Sequence, residues 1–381
     1  MRRAMRGLMW VMLSTALVVM APRAFAQRPP ETHPVSEHRD IVMSWDRSAL
    51  PGDVELWVPR TVLAYDGSAP YPYAVAHVTC TSSTSAINGR CPEVGQHGLA
   101  SPYGEISILL KESRSGMQTE VALLGSGQRP ASGQSCWSNY WPSIATIPLW
   151  NADVEVCGRH QGAGLGAGLL LPSAQLTRLV AGHWTAQLIL RMSALVGGPA
   201  IATYTFNLDF TITDRDAVAI YFPHFDEISP HVGMNLRYDP IHQTVGGGTT
   251  VDMCLYDGLG SQAPYLGVTV RDSGSRTPGP TGFSAWHRDS GGTGDSERLD
   301  YNVTLDYNGA PLPMRNGVEE QLTGIDAAKL KLVVLPGMSQ PVFCVDTPLR
   351  LEMPRVPIAE KQAGYYRGDL KVELRVPTGV P

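Results

Sequence analysis

Asp252 and Asp257 in VDMCLYDG come closer than any other residues of this chain to a catalytic pair. Two carboxylates flanking a bond can serve as acid and base in glycoside hydrolysis. Acids of this kind also close turns, and for a pair that brackets Cys254 the turn reading fits better. No G-x-S-x-G elbow and no H-E-x-x-H zinc motif occurs. GAGLGA at 162–167 satisfies the loose dinucleotide pattern, but no parallel strand-helix unit surrounds it. RGD at 367–369 opens a strand pattern, where three residues coincide easily by chance. NVT at 302–304 accepts a glycan only in a host that glycosylates, and it lies inside another strand pattern. Trp137, Tyr140 and Trp141 in CWSNYW could stack on sugar rings, although aromatics beside a cysteine also serve as local core. These three are the candidate ligand-contact residues; no catalytic residue, cofactor or metal site is assigned.

Six cysteines suit an oxidising compartment. Fifteen connectivities are possible. Spacing favours Cys80 with Cys91, Cys136 with Cys157, and Cys254 with Cys344, the last closing a loop of about 90 residues. A metal reading has little support, since no C-x-x-C pair occurs and no histidine stands at ligand spacing from a cysteine pair.

The elements that would position these residues are strands. In TYTFNLDFTIT, Tyr204, Phe206, Leu208, Phe210 and Ile212 alternate with polar residues, the pattern of a strand with one face in a core. Further strands are expected over 54–58, 105–112, 119–125, 184–192, 218–222, 265–273 and 299–309. One short helix is expected, AQLTRLVAG, capped by Ser173 and ended by Gly182. The last pattern is LKVELRV, where Leu370, Val372, Leu374 and Val376 alternate with charged residues. Only PTGVP follows it, too short to turn back and pair with it, so its outer edge is expected to lack a neighbour.

With 39 Gly, 30 Pro and 17% charged residues, the chain is expected to be all-β, with short strands joined by turns into sandwiches. A net charge of -5 without a basic cluster argues against nucleic acid or anionic membrane as a partner. At the start, Arg2, Arg3 and Arg6 precede an apolar run and then Ala24-Phe25-Ala26, a signal-peptidase site, so residues 1–26 are expected to be a signal peptide. The run is shorter than the roughly 20 residues that span a bilayer. The mature chain is long enough for two domains, and TDRD at 213–216 is the candidate linker.

CTSSTSAINGRCP, LLLPSAQLTRLVAGHWTAQLIL, IYFPHF, VDMCLYDG, PVFC and AGYYRGDLKVEL occur in that order along nearly the whole mature chain. Together they resemble the minor tip subunits of alternate chaperone-usher fimbriae, of the colonization-factor and cable-pilus type. The resemblance implies an N-terminal adhesin sandwich over residues 27–213. Residues 214–381 would then form a C-terminal pilin domain of incomplete immunoglobulin type.

A pilin domain of that type lacks its final strand. The resemblance therefore implies that Leu370, Val372, Leu374 and Val376 line a groove filled by a strand from another protein. A periplasmic chaperone would lend that strand first. The major pilin would replace it at the outer-membrane usher, and the protein would be exported to the fimbrial tip at the cell surface. QRPPETHPVSEHRD, with three prolines and no apolar alternation, makes a poor donor strand, which agrees with a tip position. A host-cell glycan or glycoprotein would be the receptor. Members of the family that bind acidic glycans carry arginines where this chain has Val75 and Ala194, and Arg191 lies nearby out of phase, so no receptor residue is carried over. A purely structural initiator and a secreted carbohydrate-active enzyme are the alternatives. Non-reducing peptide mapping should find the three bonds above, and a Cys157–Cys254 bond would overturn both the pairing and the boundary.

Overall fold

The computed structural model describes residues 28–134, 139–141, 146–225, 227, 229–336, 338 and 340–377. Residues 1–27 are outside it, as are Cys136 and Trp137, so the expected signal peptide and the Cys136–Cys157 pair lie outside the described residues. Nearly all regular structure is β, in two units.

The first unit contains β1 (Glu37–Asp46), β2 (Val54–Tyr65), β3 (His77–Cys80), β4 (Gly104–Glu112), β5 (Gln118–Gln128), β6 (Gly164–Leu171), α1 (Ser173–Leu176), β7 (Gly182–Ser193) and β8 (Ala200–Thr213). Its strands run in the order β1-β8-β7-β4-β5-β6-β2, and β3 joins the far end of β7. The five apolar side chains read from TYTFNLDFTIT are all buried in β8. Each contributes roughly 1.5–3 kcal/mol by leaving water. Across the core, Trp57 of β2 meets Tyr204 and Phe206 edge-on at 5.0 and 5.2 Å, so β2 lies over β8 as in a sandwich.

One local expectation, the helix, changes, and two other segments gain a place. The segment read as a poor donor strand runs into β1, parallel to β8 from Glu37↔Tyr204 to Asp46↔Thr213. Its inward residues, Arg39, Ile41, Met43 and Trp45, include a charged one, which masked the alternation. The helix is a single turn that Ser173 does not cap. The Ser173 N–H donates instead to Asp53, and Gly182 begins β7. GAGLGA leads into β6, which pairs antiparallel with both β2 and β5. Gly166 is small because a Cβ there would sit 2.5 Å from the Trp141 ring.

The second unit contains β9 (Ala219–Tyr221), β10 (Thr244–Val251), β11 (Cys254–Tyr256), β12 (Tyr265–Asp272), β13 (Ser284–His287), β14 (Asn302–Tyr307), β15 (Glu319–Thr323), β16 (Val342–Asp346), β17 (Leu349–Pro357), β18 (Tyr366–Arg367) and β19 (Leu370–Arg375). β10, β17 and β14 form the middle of one sheet, and β12 stands between β15 and β19 in another. Their inner faces share a core that includes Val268, Val270, Phe283, Leu305 and Leu351. Cys80–Cys91 and Cys254–Cys344 are bonded, and the latter joins β11 to β16.

The expected linker is anchored. Asp214 is buried and ion-paired with Arg47 at 2.9 Å, and its N–H donates to Gly258 O. Arg114, on the β4–β5 turn, donates to the carbonyls of Ile325 and Ala328. Asp46 ties the same corner, accepting from Thr213 Oγ1, the Arg215 N–H and both Ser48 donors. Burial pushes its carboxyl up, but the hydrogen bonds from Thr213, Ser48 and Arg215 outweigh it and hold the pKa at about 2.

A depressed carboxylate stabilises the fold above its unfolded pKa, and that contribution is lost as pH falls through the folded one. Asp46→Asn should lower stability near pH 7 by about 1 kcal/mol after solvent screening is allowed for. In denaturant titrations the difference should close between about pH 4 and pH 2. Cys254→Ala with Cys344→Ala should cost about 2–4 kcal/mol, since a loop of 90 residues is released. Calorimetry of oxidised wild type against the double variant checks this.

Candidate functional site

The site is built on the one-sided pairing of β19. Its residues pair antiparallel with β12, Asp272↔Leu370 through Gly267↔Arg375. Among the described residues no strand takes its other edge. Leu370, Val372, Leu374 and Val376 are half-buried against the second core. The opposite face carries Lys371, Glu373 and Arg375. Lys371 pairs with Glu373 at 2.7 Å and, through hydrogen bond and charge, lowers that carboxyl's pKa. Arg375 pairs with Glu319 and stacks over Tyr265 at 5.4 Å. One face is therefore sealed by ion pairs, and the other turns into the domain with its edge open.

The chain just before β19 is held in place by close contacts. His287 of β13 is buried, its Nε2 lies 3.2 Å from Ala363 O, and its ring meets Tyr366 edge-on at 5.3 Å. Gly364 is required there because a Cβ would collide with His287 Nε2. Beside it opens a cavity of about 350 Å³. Tyr365 and Tyr366 form one wall, Val232, Met234 and Leu236 the other, and Tyr301 and Met353 are also among its lining. Residues 231–236 belong to no ladder, so Val232, Met234 and Leu236 line the cavity from backbone outside any sheet. Val232, Met234 and Leu236 alternate with Gly233 and Asn235, a short period-two signal from which no strand was read.

The other sequence candidates are dispersed. Asp257 is buried and accepts from the N–H groups of Leu259, Ser261 and Ala263, closing the turn after β11. Asp252 contacts His224 at 3.0 Å and Lys331 at 3.6 Å. With Asp257 occupied in its turn, the two do not form a facing pair. Arg367 and Asp369 of RGD are exposed and lie 3.4 Å apart. Among the described residues no group of three His, Cys, Asp or Glu could hold a metal ion.

Of the aromatic trio, Tyr140 and Trp141 are among the described residues. Trp137 lies outside the described residues, Tyr140 is half-buried, and Trp141 is buried over Gly166 with Arg60 5.3 Å from its ring centroid. For Trp141 the expectation of a sugar-stacking face is corrected: its ring fills the space left by the glycine. His77↔Ser193 pairing brings Val75 and Ala194 to the same end of the first unit, with Arg191 opposite Thr79.

Known proteins resemble this chain over most of its length. A family model for the first domain of CfaE, a CFA/I fimbrial protein, matches residues 22–215, and one for its second domain matches residues 218–378. The CFA/I fimbrial protein CfaE of Escherichia coli is 29% identical over 324 residues, 81% of this chain and 82% of that protein. The crystal structure of CfaE, described as the adhesive subunit of CFA/I fimbria of enterotoxigenic Escherichia coli, shares the fold with a TM-score of 0.67. It is 24% identical, and the match covers 92% of this chain and 95% of that one. A chaperone-tip adhesin complex linked to CFA/I fimbriae biogenesis matches with a TM-score of 0.66 at 25% identity, over 92% of this chain and 99% of that one.

Proposed function

The chain belongs to the CfaE family of CFA/I fimbrial proteins, and from that premise we propose that it is a fimbrial tip adhesin that starts fibre assembly by accepting a donor strand. Residues 1–26 are its signal peptide, 27–213 the receptor-binding domain and 214–381 the pilin domain. The observation that carries the reading is the unpaired edge of β19 over half-buried Leu370, Val372, Leu374 and Val376. An incoming strand would hydrogen-bond to that edge, and its alternate side chains would cover those four and enter the cavity beside Tyr365. Completing the burial of each would add about half of the roughly 1.5–3 kcal/mol that full burial contributes.

The order of donors follows from export. In the periplasm the donor is a chaperone strand, and at the outer-membrane usher it is the extension of the major pilin. The N-terminal segment supports a tip position, because residues 37–46 are held by a ten-residue ladder to β8 and are not free to fill a neighbour's groove. The first domain faces outward at the cell surface and binds a host glycan or glycoprotein.

Val372→Asp would put a carboxylate among the apolar donor side chains at a cost of several kcal/mol. Capture by the chaperone and fibre initiation should both fail. Lys371→Ser and Glu373→Ser, on the ion-paired face, should change stability by no more than about 0.5 kcal/mol and leave capture intact. Co-purification of each variant with the chaperone is the test. Normal capture of Val372→Asp would mean that this strand does not border the donor groove.

A further inference from the structure

We propose that a cleft on the first domain is a binding subsite for an uncharged, hydroxyl-rich sugar. The inference rests on the adhesin reading and gives its receptor site a ligand class. The cleft, about 620 Å³, lies between the Cys80–Cys91 loop with Ser83, the segment after it with Glu93 and Gln96, and the face of β4 that carries Glu105 and Ser107. That volume is within the range of small-molecule sites, roughly 300–1,000 Å³.

Its polar groups divide into those already engaged and those free. Arg90 is ion-paired with Glu120 and donates to Ser107 Oγ, so the cleft's cation is compensated. Glu93 accepts from the Ser83 N–H at 2.6 Å and from its hydroxyl at 2.8 Å, which holds the loop and keeps the carboxyl below its usual range. Glu105 and Gln96 are exposed, and no hydrogen bond or ion pair among the described residues uses their side chains. A free carboxylate accepts two sugar hydroxyls, and a free amide both donates and accepts. Glu93 and Glu105, set against the compensated Arg90 and the Arg191 charge that also acts on Glu93, leave the cleft negative by one charge, which disfavours sialic or sulfated ligands.

Apolar contact is also at hand. Pro92 and the exposed Val94 line the same cleft; Tyr103 is not in its lining but stands two residues before Glu105, is 49% exposed, and offers a ring beside the cleft for the C–H face of a longer sugar. The position suits contact with a surface. Glu112, at the other end of β4, is two residues from Arg114, which grips the second domain. Glu105 is therefore roughly 23 Å further from that junction, at about 3.3 Å per strand residue.

The test is a binding titration of the purified mature chain with a panel of neutral oligosaccharides and their sialylated counterparts. At least one neutral sugar should bind, its sialylated form at least about tenfold more weakly. Glu105→Gln and Tyr103→Ala should each weaken neutral-sugar binding at least about tenfold with the melting temperature unchanged. Gln96→Ala, exposed like Glu105, is a second variant should either lose its fold. Tighter binding of the sialylated forms, unaffected variants, or no binding by any panel member would overturn the site. Adhesion of assembled fibres to host cells separates the two readings. Fibres that adhere equally well with the variants sink only this cleft, whereas fibres that adhere to nothing sink the adhesin reading too.

Discussion

A strand edge over a core must be paired or protected, and among the described residues β19 is paired with β12 alone. Much else in the second domain is arranged around that. β12 holds the strand from within, the Lys371–Glu373 and Arg375–Glu319 pairs occupy its outer face, and His287 fixes the chain just ahead of it. What is left exposed is a row of half-buried aliphatic side chains beside unpaired backbone groups. Each feature alone is a liability in water; together they describe the surface that a strand of matching alternation would cover.

The first domain meets the same requirement internally. β1 lies parallel along β8, and the Arg39 guanidinium reaches the Leu56 carbonyl of β2, so the two ends of the strand order come close together. Trp57 fills the space between them against Tyr204 and Phe206. The residues that could otherwise leave as a free arm are used to finish the domain's own sandwich. A chain built this way closes one half by itself and leaves the other half to be closed from outside.

The legible parts of the sequence were those in which one physical signal acted alone. The alternation of β8 and β19 is clean because each has one apolar face, and both appear where the pattern put them. β1 was hidden because its inward row includes Arg39, whose side chain pairs with Glu37 and donates to the Leu56 carbonyl at the edge of the core. The helix was overestimated because a polar start and a glycine end imitate caps, while the N–H to be capped is bonded to Asp53, some 120 residues away. The cavity beside Tyr365 and the cleft beside Glu105 were not legible. Each is formed by segments distant in sequence, so even the alternation of Val232, Met234 and Leu236 says nothing of what that stretch faces.

On the reading proposed above, the contrast between the halves would give assembly a direction: the N-terminal segment is paired along β8, and β19 has an open edge among the described residues, so the chain would receive a strand. Receiving must also leave the outward domain in place. The junction is suited to that, since Asp214 is paired to Arg47, Arg114 bonds two carbonyls of the second domain, and one apolar cluster runs from Trp184 to Cys254 and Cys344 across it. The disulfide in that cluster ties β11 to β16 within the second domain. On that reading, a strand entering at the open edge of β19 would fill the open core without loosening the contacts that hold the first domain.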